Sequence, residues 1–555
     1  MSRRRQLRRD HGGAVTPKGG LLALSPIEEL DEEQSRVLFR RRALYVIGGA
    51  ILFAIVYSLL SWLKYRAYMD ARFDLGNMVQ AVYNTAHGHF LEITTGDLEP
   101  RQVSRLGSHV DPILALFALP WLVWPSPVML LVGQAVIVAT GAWPAYRLGT
   151  RVTRDPSAGA FLAGAYLLYP ALGFLVLNEF HPVALAAPLL LWAFLYMDED
   201  RWVRAAVFLV LAAACKETVP LVIAFMGAYF AIRKRSPWPL LVTGVGLAWF
   251  AAAVWVVIPH YNGAQSAFIA RYGDYGDGAL SVVKHAITHP GQTVADLFAE
   301  SNLRYWLRLL WPFGFTSLLS PLTVLIALPE YGLNALSATP FQRRIEFHYT
   351  ALEIPFLYVA AVLGVMRLWR WLGGGFRKAE SLMQGQRVQR STLALFVVLC
   401  ALAGNYVLGP LPFSLPGAAY DGRAYARTAH DAVLDEAVAM IPPDAKVSAN
   451  NNVGAQLAAR RVAYIFPYFA GADWVIVDQR HPFFYDKEDE QMHSLALGRL
   501  VLDLNFRSVF AKDGVYVFQR IGAGGQAPGA QIPSLGASPS PSLQPGPSES
   551  LSPSP

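Results

Sequence analysis

The sequence predicts a mainly α-helical, polytopic membrane protein with about eleven transmembrane helices, a small extracytoplasmic α/β domain and a disordered tail. Three observations predict this. Of 555 residues, 54% are hydrophobic and 16% are charged, less charge than a soluble domain carries. Mean hydropathy is +0.32. The apolar residues come in long blocks, many near the ~20 residues that a spanning helix needs.

Residues 1–42 are basic at first (Arg3, Arg4, Arg5, Arg8, Arg9) and then mixed in charge. They end at Arg40-Arg41-Arg42, before a long apolar block without a small-residue cleavage site. That block reads as a retained helix, and its basic flank places the N-terminus in the cytoplasm. The membrane part covers 43–409. The first span runs from Ala43 to Trp62 and exits into an outer loop, 63–127. Within this loop Pro112 to Trp124 is short and broken by proline, so it reads as a helix lying at the outer interface. Further spans are expected at Val128–Tyr146, Ser157–Leu177, Val183–Met197, Val203–Ala214, Val219–Ile232 and Leu240–Ile258. Another pair falls between Tyr305 and Leu336, and the last ones at Leu352–Trp369 and Thr392–Leu408. The clearly basic short loops then all fall inside, and the loop at Asp198–Arg204 is mixed.

Residues 410–521 are soluble in character. Tyr420 to Ile441 and Gln491 to Leu504 have helical patterns. Lys446–Ala449, Val462–Phe466 and Trp474–Asp478 read as strands, and Ser508–Gln519 as a hairpin around Lys512-Asp513-Gly514. The tail, 522–555, is rich in Gly, Pro and Ser and forms no core.

The net charge of +7 follows from membrane orientation, and no nucleic-acid motif accompanies it, so nucleic acid is not expected as a partner. Cys215 and Cys400 both sit in apolar segments, which argues against a disulfide framework or a thiolate zinc site.

Polar clusters interrupt the apolar blocks. They are Asp74 with Asn77 and Gln80; His87 and His89; His109 and Asp111; Glu179 and His181; Lys216 and Glu217; Glu330; and Arg343, Arg344, Glu346, His348 and Tyr349. Under this topology all of them lie at the outer face, which suggests a shared polar cavity there. Each also has a structural reading. Asp74 would cap a helix starting at Leu75, and Asp111 would cap the interfacial helix. Glu179 and His181 would be a solvated turn, Lys216-Glu217 a neutralising pair, and the Arg343–Tyr349 run plain loop charge. His87, His89, His109, Asp111, Glu179 and His181 are residue types that suit a divalent cation. None falls at a strong ligand spacing, so no metal ligand set and no cofactor is assigned, with a divalent cation kept as the alternative.

Phe73-Asp74-Leu75-Gly76, Asn84-Thr85-Ala86-His87-Gly88, His109-Val110-Asp111-Pro112, Asn178-Glu179-Phe180-His181-Pro182 and Lys216-Glu217 together resemble a bacterial family of predicted membrane proteins, domain of unknown function 2079. That family is in turn similar to the GT-C glycosyltransferases. The resemblance implies a GT-C-like membrane domain in the bacterial plasma membrane. It implies transfer of a sugar from a polyprenyl-phosphate donor at the outer leaflet to a glycan, lipid or protein acceptor. Asp74 takes the position of the catalytic acid after the first span, although Leu75 follows where the commonest pattern has a second acid.

The chemistry suits that layout. Attack on an anomeric carbon needs a base for the acceptor hydroxyl, and Asp74 supplies one. The lipid-phosphate leaving group needs cations or donors, and Lys216, Arg343, Arg344, His348 and Arg105 are candidates. His109, Asp111, Glu179, His181, Glu217 and Tyr349 complete the substrate-binding set. A Gly-rich phosphate loop is missing from the sequence, which argues against a nucleotide substrate. The alternatives are a lipid or solute transporter or flippase, and a non-catalytic scaffold that displays the C-terminal domain.

Overall fold

A computed structural model describes residues 32–96, 100–264, 266–276, 279–377, 390–416, 419–481 and 490–522. The basic segment up to residue 31, the loop at 378–389 and the tail from 523 lie outside the described residues.

Among the described residues five helices are long and apolar enough to cross a membrane. They are Arg36–Arg66, Pro127–Thr153, Leu240–Asn262, Ile354–Leu372 and Arg390–Leu408. The pair Pro156–Leu167 and Pro170–Leu177, bent by 45°, makes a sixth if counted as one span. The structure therefore does not return eleven full-length spans. Pro182–Asp198 and Trp202–Ala213 are apolar but have only 17 and 12 residues. At 1.5 Å per residue the longer of them reaches about 25 Å, short of a ~30 Å hydrocarbon core. Pro182–Asp198 is also buried almost all round, as expected of a helix that is apolar on every side. Between Tyr305 and Leu336 the chain forms the helix Glu300–Leu310, then short turns and the helix Leu328–Ala335. Hydropathy alone does not separate apolar residues that meet lipid from those that meet protein.

One end of the helical part is tied by ion pairs. Asp198 bonds Arg151 at 2.8 Å and Arg233 at 2.6 Å. Glu199 bonds Arg147 at 2.6 Å, and Asp200 bonds Lys234 at 2.6 Å. The mixed loop after residue 197 thus serves as the acidic partner of the basic loops around it.

The C-terminal part is a five-stranded sheet in the order β4-β3-β5-β7-β6. Its strands are β3 (Val447–Ala449), β4 (Ala463–Ile465), β5 (Trp474–Asp478), β6 (Phe506–Lys512) and β7 (Val515–Arg520). A small hairpin in the first loop supplies β1 (Glu92–Thr94) and β2 (Gln102–Ser104). β4, β3 and β5 are parallel, whereas β5, β7 and β6 are antiparallel. Asp513 and Gly514 have φ of +50° and +78° and make the tight turn between β6 and β7, the conformation that Asp-Gly favours. The helix Ala429–Ala439 starts at a capping box of Thr428 and Asp431, worth about 1 kcal/mol.

The first loop is bolted to this sheet by Arg72. Its side chain is fully buried. It donates to Asn77 Oδ1 and Gln80 Oε1, both at 2.6 Å, and to the Ala463 carbonyl of β4 at 2.8 Å. Gln80 also reaches the Arg461 carbonyl at 3.1 Å, and the Ala463 N–H meets Thr94 Oγ1 at 3.2 Å. Gly454 packs directly on the Arg72 stem: a Cβ there would stand 2.5 Å from Arg72 Cβ. Tyr68 to Asp435 at 2.9 Å and Gln456 to the Tyr65 carbonyl at 2.6 Å extend the seam.

Arg72→Met is expected to strand the buried Ala463 carbonyl and to remove the bonds to Asn77 and Gln80. At about 1–3 kcal/mol for an unsatisfied buried group, the loss is expected to be in that range. It would be read as a lower thermal midpoint in detergent and faster proteolysis between the helical part and the sheet. An unchanged midpoint would rule out the clamp.

Candidate functional site

Asp74 lies inside a one-turn π-helix, Arg72–Gly76, that runs into the helix Asn77–Ala86. The turn has no side-chain cap, so Asp74 does not act as the expected helix cap. Such π turns often mark functional positions. The turn is held by its neighbours. The Phe73 N–H donates to Asn451 Oδ1 at 3.2 Å, and the Leu75 N–H to Glu179 Oε2 at 2.8 Å. The Asp74 side chain keeps 29% exposure and faces His181, with Oδ1 3.5 Å from Nε2.

His181 and Glu179 come from a turn between the helices Pro170–Leu177 and Pro182–Asp198. Glu179 adopts φ +56°, a left-handed conformation that costs a non-glycine residue about 1–2 kcal/mol. Gln134 pins it. The Gln134 amide donates to the carbonyls of Glu179 and Val176 at 2.5 and 3.0 Å, and accepts the His181 N–H at 2.9 Å. His181 Nδ1 lies 2.7 Å from the Asn178 carbonyl. A carbonyl only accepts, so Nδ1 carries a proton. Nε2 can then bond the Asp74 carboxylate only if a second proton is present, on His181, on Asp74 or on a ligand between them.

His348 stacks on His181 with centroids 3.7 Å apart, and its Nδ1 lies 3.0 Å from Asn178 Oδ1. Tyr349 packs against His348 at 4.2 Å. The Lys216 ammonium and the Arg271 guanidinium both stand over the Tyr349 ring, at 5.8 and 5.9 Å. A second arm comes from the first loop. His109 Nδ1 lies 3.0 Å from Glu217 Oε1, and Glu217 Oε2 accepts the Val110 N–H at 3.1 Å. Arg105 Nε donates to Asp111 Oδ2 at 2.8 Å. Asp111 precedes the turn at Pro112–Phe117 without capping it, so its expected cap gives way to the pair with Arg105. Leu119, Leu122 and Val123 beyond that turn are exposed, as expected of a segment lying along an interface.

The charges respond to one another. Burial would raise the Asp74 carboxyl, but the His181 contact and the charges of Arg105 and Lys64 outweigh it and hold the pKa below the usual range. Burial, reinforced by Asp74 and Asp70, pushes Glu179 well above it. Burial also drives His348 well below 6.5, helped by the nearby charges of His181, Lys216, His109 and Arg271. For Glu217 burial raises the pKa, but His109 and Lys216 win and bring it to about 2.

Asp74, His109, Asp111, Glu179, His181, Lys216, Glu217, His348 and Tyr349 thus form one network. Arg343 and Arg344 do not join it. Arg343 donates to the Ser337 carbonyl, and Arg344 is half exposed beside Glu346 at 3.4 Å. Glu330 senses Lys216 and Glu217. His87 stacks on Tyr83 and bonds its carbonyl at 2.7 Å, and His89 faces Glu92 at 3.8 Å. Sequence reasoning missed Gln134, Arg271 and the role of Arg72. The signal for Gln134 was a lone amide in an apolar block. A cavity of about 380 Å³ lined by Arg36, Phe39, Arg40, Thr150, Arg154 and Pro156 lies away from these residues.

Residues 66–517 match the family described as predicted membrane protein (DUF2079), and the chain belongs to that family. No curated protein matches it. Among solved structures, the crystal structure of ArnT from Cupriavidus metallidurans in the apo state is similar at 12% identity. The similarity covers 86% of this chain and 99% of that chain, with a TM-score of 0.48.

The opposed shifts predict a pH dependence of stability. Folded His348 refuses a proton that the unfolded chain takes up below 6.5. Its contribution is present above that pH and is lost as pH falls toward the folded value. Folded Glu179 keeps a proton that the unfolded chain releases above 4.5. Its contribution is present below that pH and is lost as pH rises. In thermal midpoints measured from about pH 4 to 8, His348→Gln is expected to flatten the acid-side fall. Glu179→Gln is expected to gain on the wild type as pH rises. Parallel profiles for all three proteins would contradict these assignments.

Proposed function

We propose that this chain is a GT-C-type glycosyltransferase. In this reading it transfers a sugar from a polyprenyl-phosphate donor, at the outer face of the bacterial plasma membrane, to a glycan, lipid or protein acceptor. The N-terminus is cytoplasmic, the C-terminal sheet is extracytoplasmic, and the shorter apolar helices bring the crossings to about eleven. The observation that carries the reading is the contact of Asp74 with His181 beside a group of cations, Lys216, Arg271 and Arg105. The resemblance of the chain's motifs to its family, which is in turn similar to the GT-C enzymes, supports it.

In the reaction Asp74 takes the proton of the acceptor hydroxyl as that oxygen forms its bond to the anomeric carbon. The bond from the anomeric carbon to the donor phosphate breaks, and the polyprenyl phosphate leaves with the electron pair. Asp74 is ionised at neutral pH because its pKa is held down, so it is ready to accept. His181 orients it and shares the proton. Lys216 and Arg271 offer positive charge to the leaving phosphate, with Arg105 toward Asp74. Glu179 keeps its proton and holds the Asp74 turn through the Leu75 N–H. No step is assigned to a metal ion.

The flippase alternative draws on the 45° break at residues 167–170, since broken helices serve transport sites. Lipid translocation in vesicles that persists unchanged in Asp74→Asn would favour it.

With a polyprenyl-phosphate sugar donor, Asp74→Asn is expected to lower transfer by about 10²–10⁴-fold. Lys216→Met is expected to impair turnover, whereas Arg344→Ala is expected to stay near wild type. Transfer by Asp74→Asn at the wild-type rate would remove Asp74 as the base.

A further inference from the structure

The C-terminal sheet carries a second polar cluster, remote in sequence from the Asp74 site and not needed for the reaction above. His430 lies at the start of the helix Ala429–Ala439, Asp478 ends β5, and His481 follows in the next loop. One ligand atom from each lies within 4.8 Å of the other two. His430 and Asp478 are buried, and His481 is exposed. This is the one group of its kind among the described residues.

We propose that His430, Asp478 and His481 bind a divalent cation of the zinc type. In a tetrahedral site with ligand bonds of ~2.0–2.1 Å the ligand atoms stand about 3.3 Å apart. His430 Nε2 and Asp478 Oδ1 already lie 3.1 Å apart. The surroundings also suit a metal. A metal-binding imidazole normally donates its other N–H to a carboxylate, which fixes its tautomer. His430 Nδ1 lies 2.9 Å from Asp513 Oδ2, leaving Nε2 as the free lone pair. Asp478 is held in turn: Asn452 Nδ2 donates to its Oδ2 at 2.9 Å. Asp478 Oδ1 also accepts the backbone N–H groups of Arg480 and His481, at 2.9 and 3.3 Å. Two imidazoles and one carboxylate suit zinc rather than magnesium or calcium. Three protein ligands leave a fourth position, on the side where His481 meets solvent.

The position in the fold agrees. In chain order β3, β4 and β5 lie 2-1-3, so the sheet order reverses between β3 and β5. Ligands of open α/β sheets gather at the carboxyl ends of strands at such a point. β3 is followed by Asn450 and the one-turn helix Asn451–Gly454, and β5 ends at Asp478 with His481 in the loop beyond. Asn450 Oδ1 accepts the Asp478 N–H at 2.7 Å, and Asn451 Oδ1 holds the Phe73 N–H. A cation here would stiffen the segment after β3 that supports the Asp74 turn, while its binding stands apart from the transferase reading.

The test uses the full-length chain in detergent, without a polyhistidine tag, stripped with a chelator and titrated with Zn²⁺ by calorimetry. Thermal midpoints are followed alongside. The wild type is expected to bind a single equivalent and to gain thermal stability, with Mg²⁺ giving no comparable gain. His481→Ala removes an exposed ligand and leaves the buried His430–Asp478 pair intact. It is expected to bind at least about tenfold more weakly while the stripped protein keeps its midpoint. The double variant His87→Ala, His89→Ala is expected to bind as wild type. Unchanged affinity in His481→Ala, or no saturable Zn²⁺ binding by the wild type, would overturn the site. His430 would then serve only to bridge Asp478 and Asp513.

Discussion

A guanidinium buried away from water is costly unless its donors find partners. The two terminal nitrogens of Arg72 find partners in both parts of the chain: Asn77 and Gln80 of the first loop, and the Ala463 carbonyl of β4. Because the desolvation cost is met only when both sides are in place, the sheet and the loop are ordered together. Burial lowers the Arg72 pKa to about 10, which leaves it charged at neutral pH and keeps the demand for partners strict. Asp74 sits two residues away. Its position therefore depends on a domain that contributes no side chain to the Asp74–His181 contact.

The site uses the same logic with the signs reversed. Glu179 and Asp74 are two acids near one another, and the environment separates them. Asp74 receives His181, Arg105 and Lys64 and stays ionised, whereas Glu179 is buried against Asp74 and Asp70 and keeps its proton. Acids pushed apart in this way commonly take different roles. The left-handed backbone at Glu179 and the irregular turn at Asp74 are local costs, and Gln134 and Asn451 are the side chains that hold them. Tertiary structure thus brings a second acid to Asp74 from another loop.

Much of the C-terminal sheet was legible in the sequence because its signals are local. Asp513-Gly514 specifies its own turn, and the apolar runs at 447–449, 463–465 and 474–478 are short strands between polar loops. The clusters around Asp74, His181 and His348 were legible as polar interruptions of apolar blocks, which membrane burial makes conspicuous. What was not legible is contact. Arg343 and Arg344 had a suitable charge, but their guanidinium groups turn to Ser337 and Glu346. Gln134 looked like one amide in a helix. His430, Asp478 and His481 lie 48 residues apart at their widest bonded pair, and no spacing rule joins them. Of the expected spans, five or six among the described residues are long and apolar enough to cross a membrane, and Pro182–Asp198 is buried almost all round.

The central claim is that loops distant in sequence form one electrostatically coupled site around Asp74. The most direct measurement is the titration of Glu179, followed through its carboxyl infrared band and identified by the loss of that band in Glu179→Gln. Because the Asp74 charge helps to raise the Glu179 pKa, Asp74→Asn is predicted to lower it. A Glu179 titration that is the same in wild type and Asp74→Asn would show that the two carboxyls do not share a site.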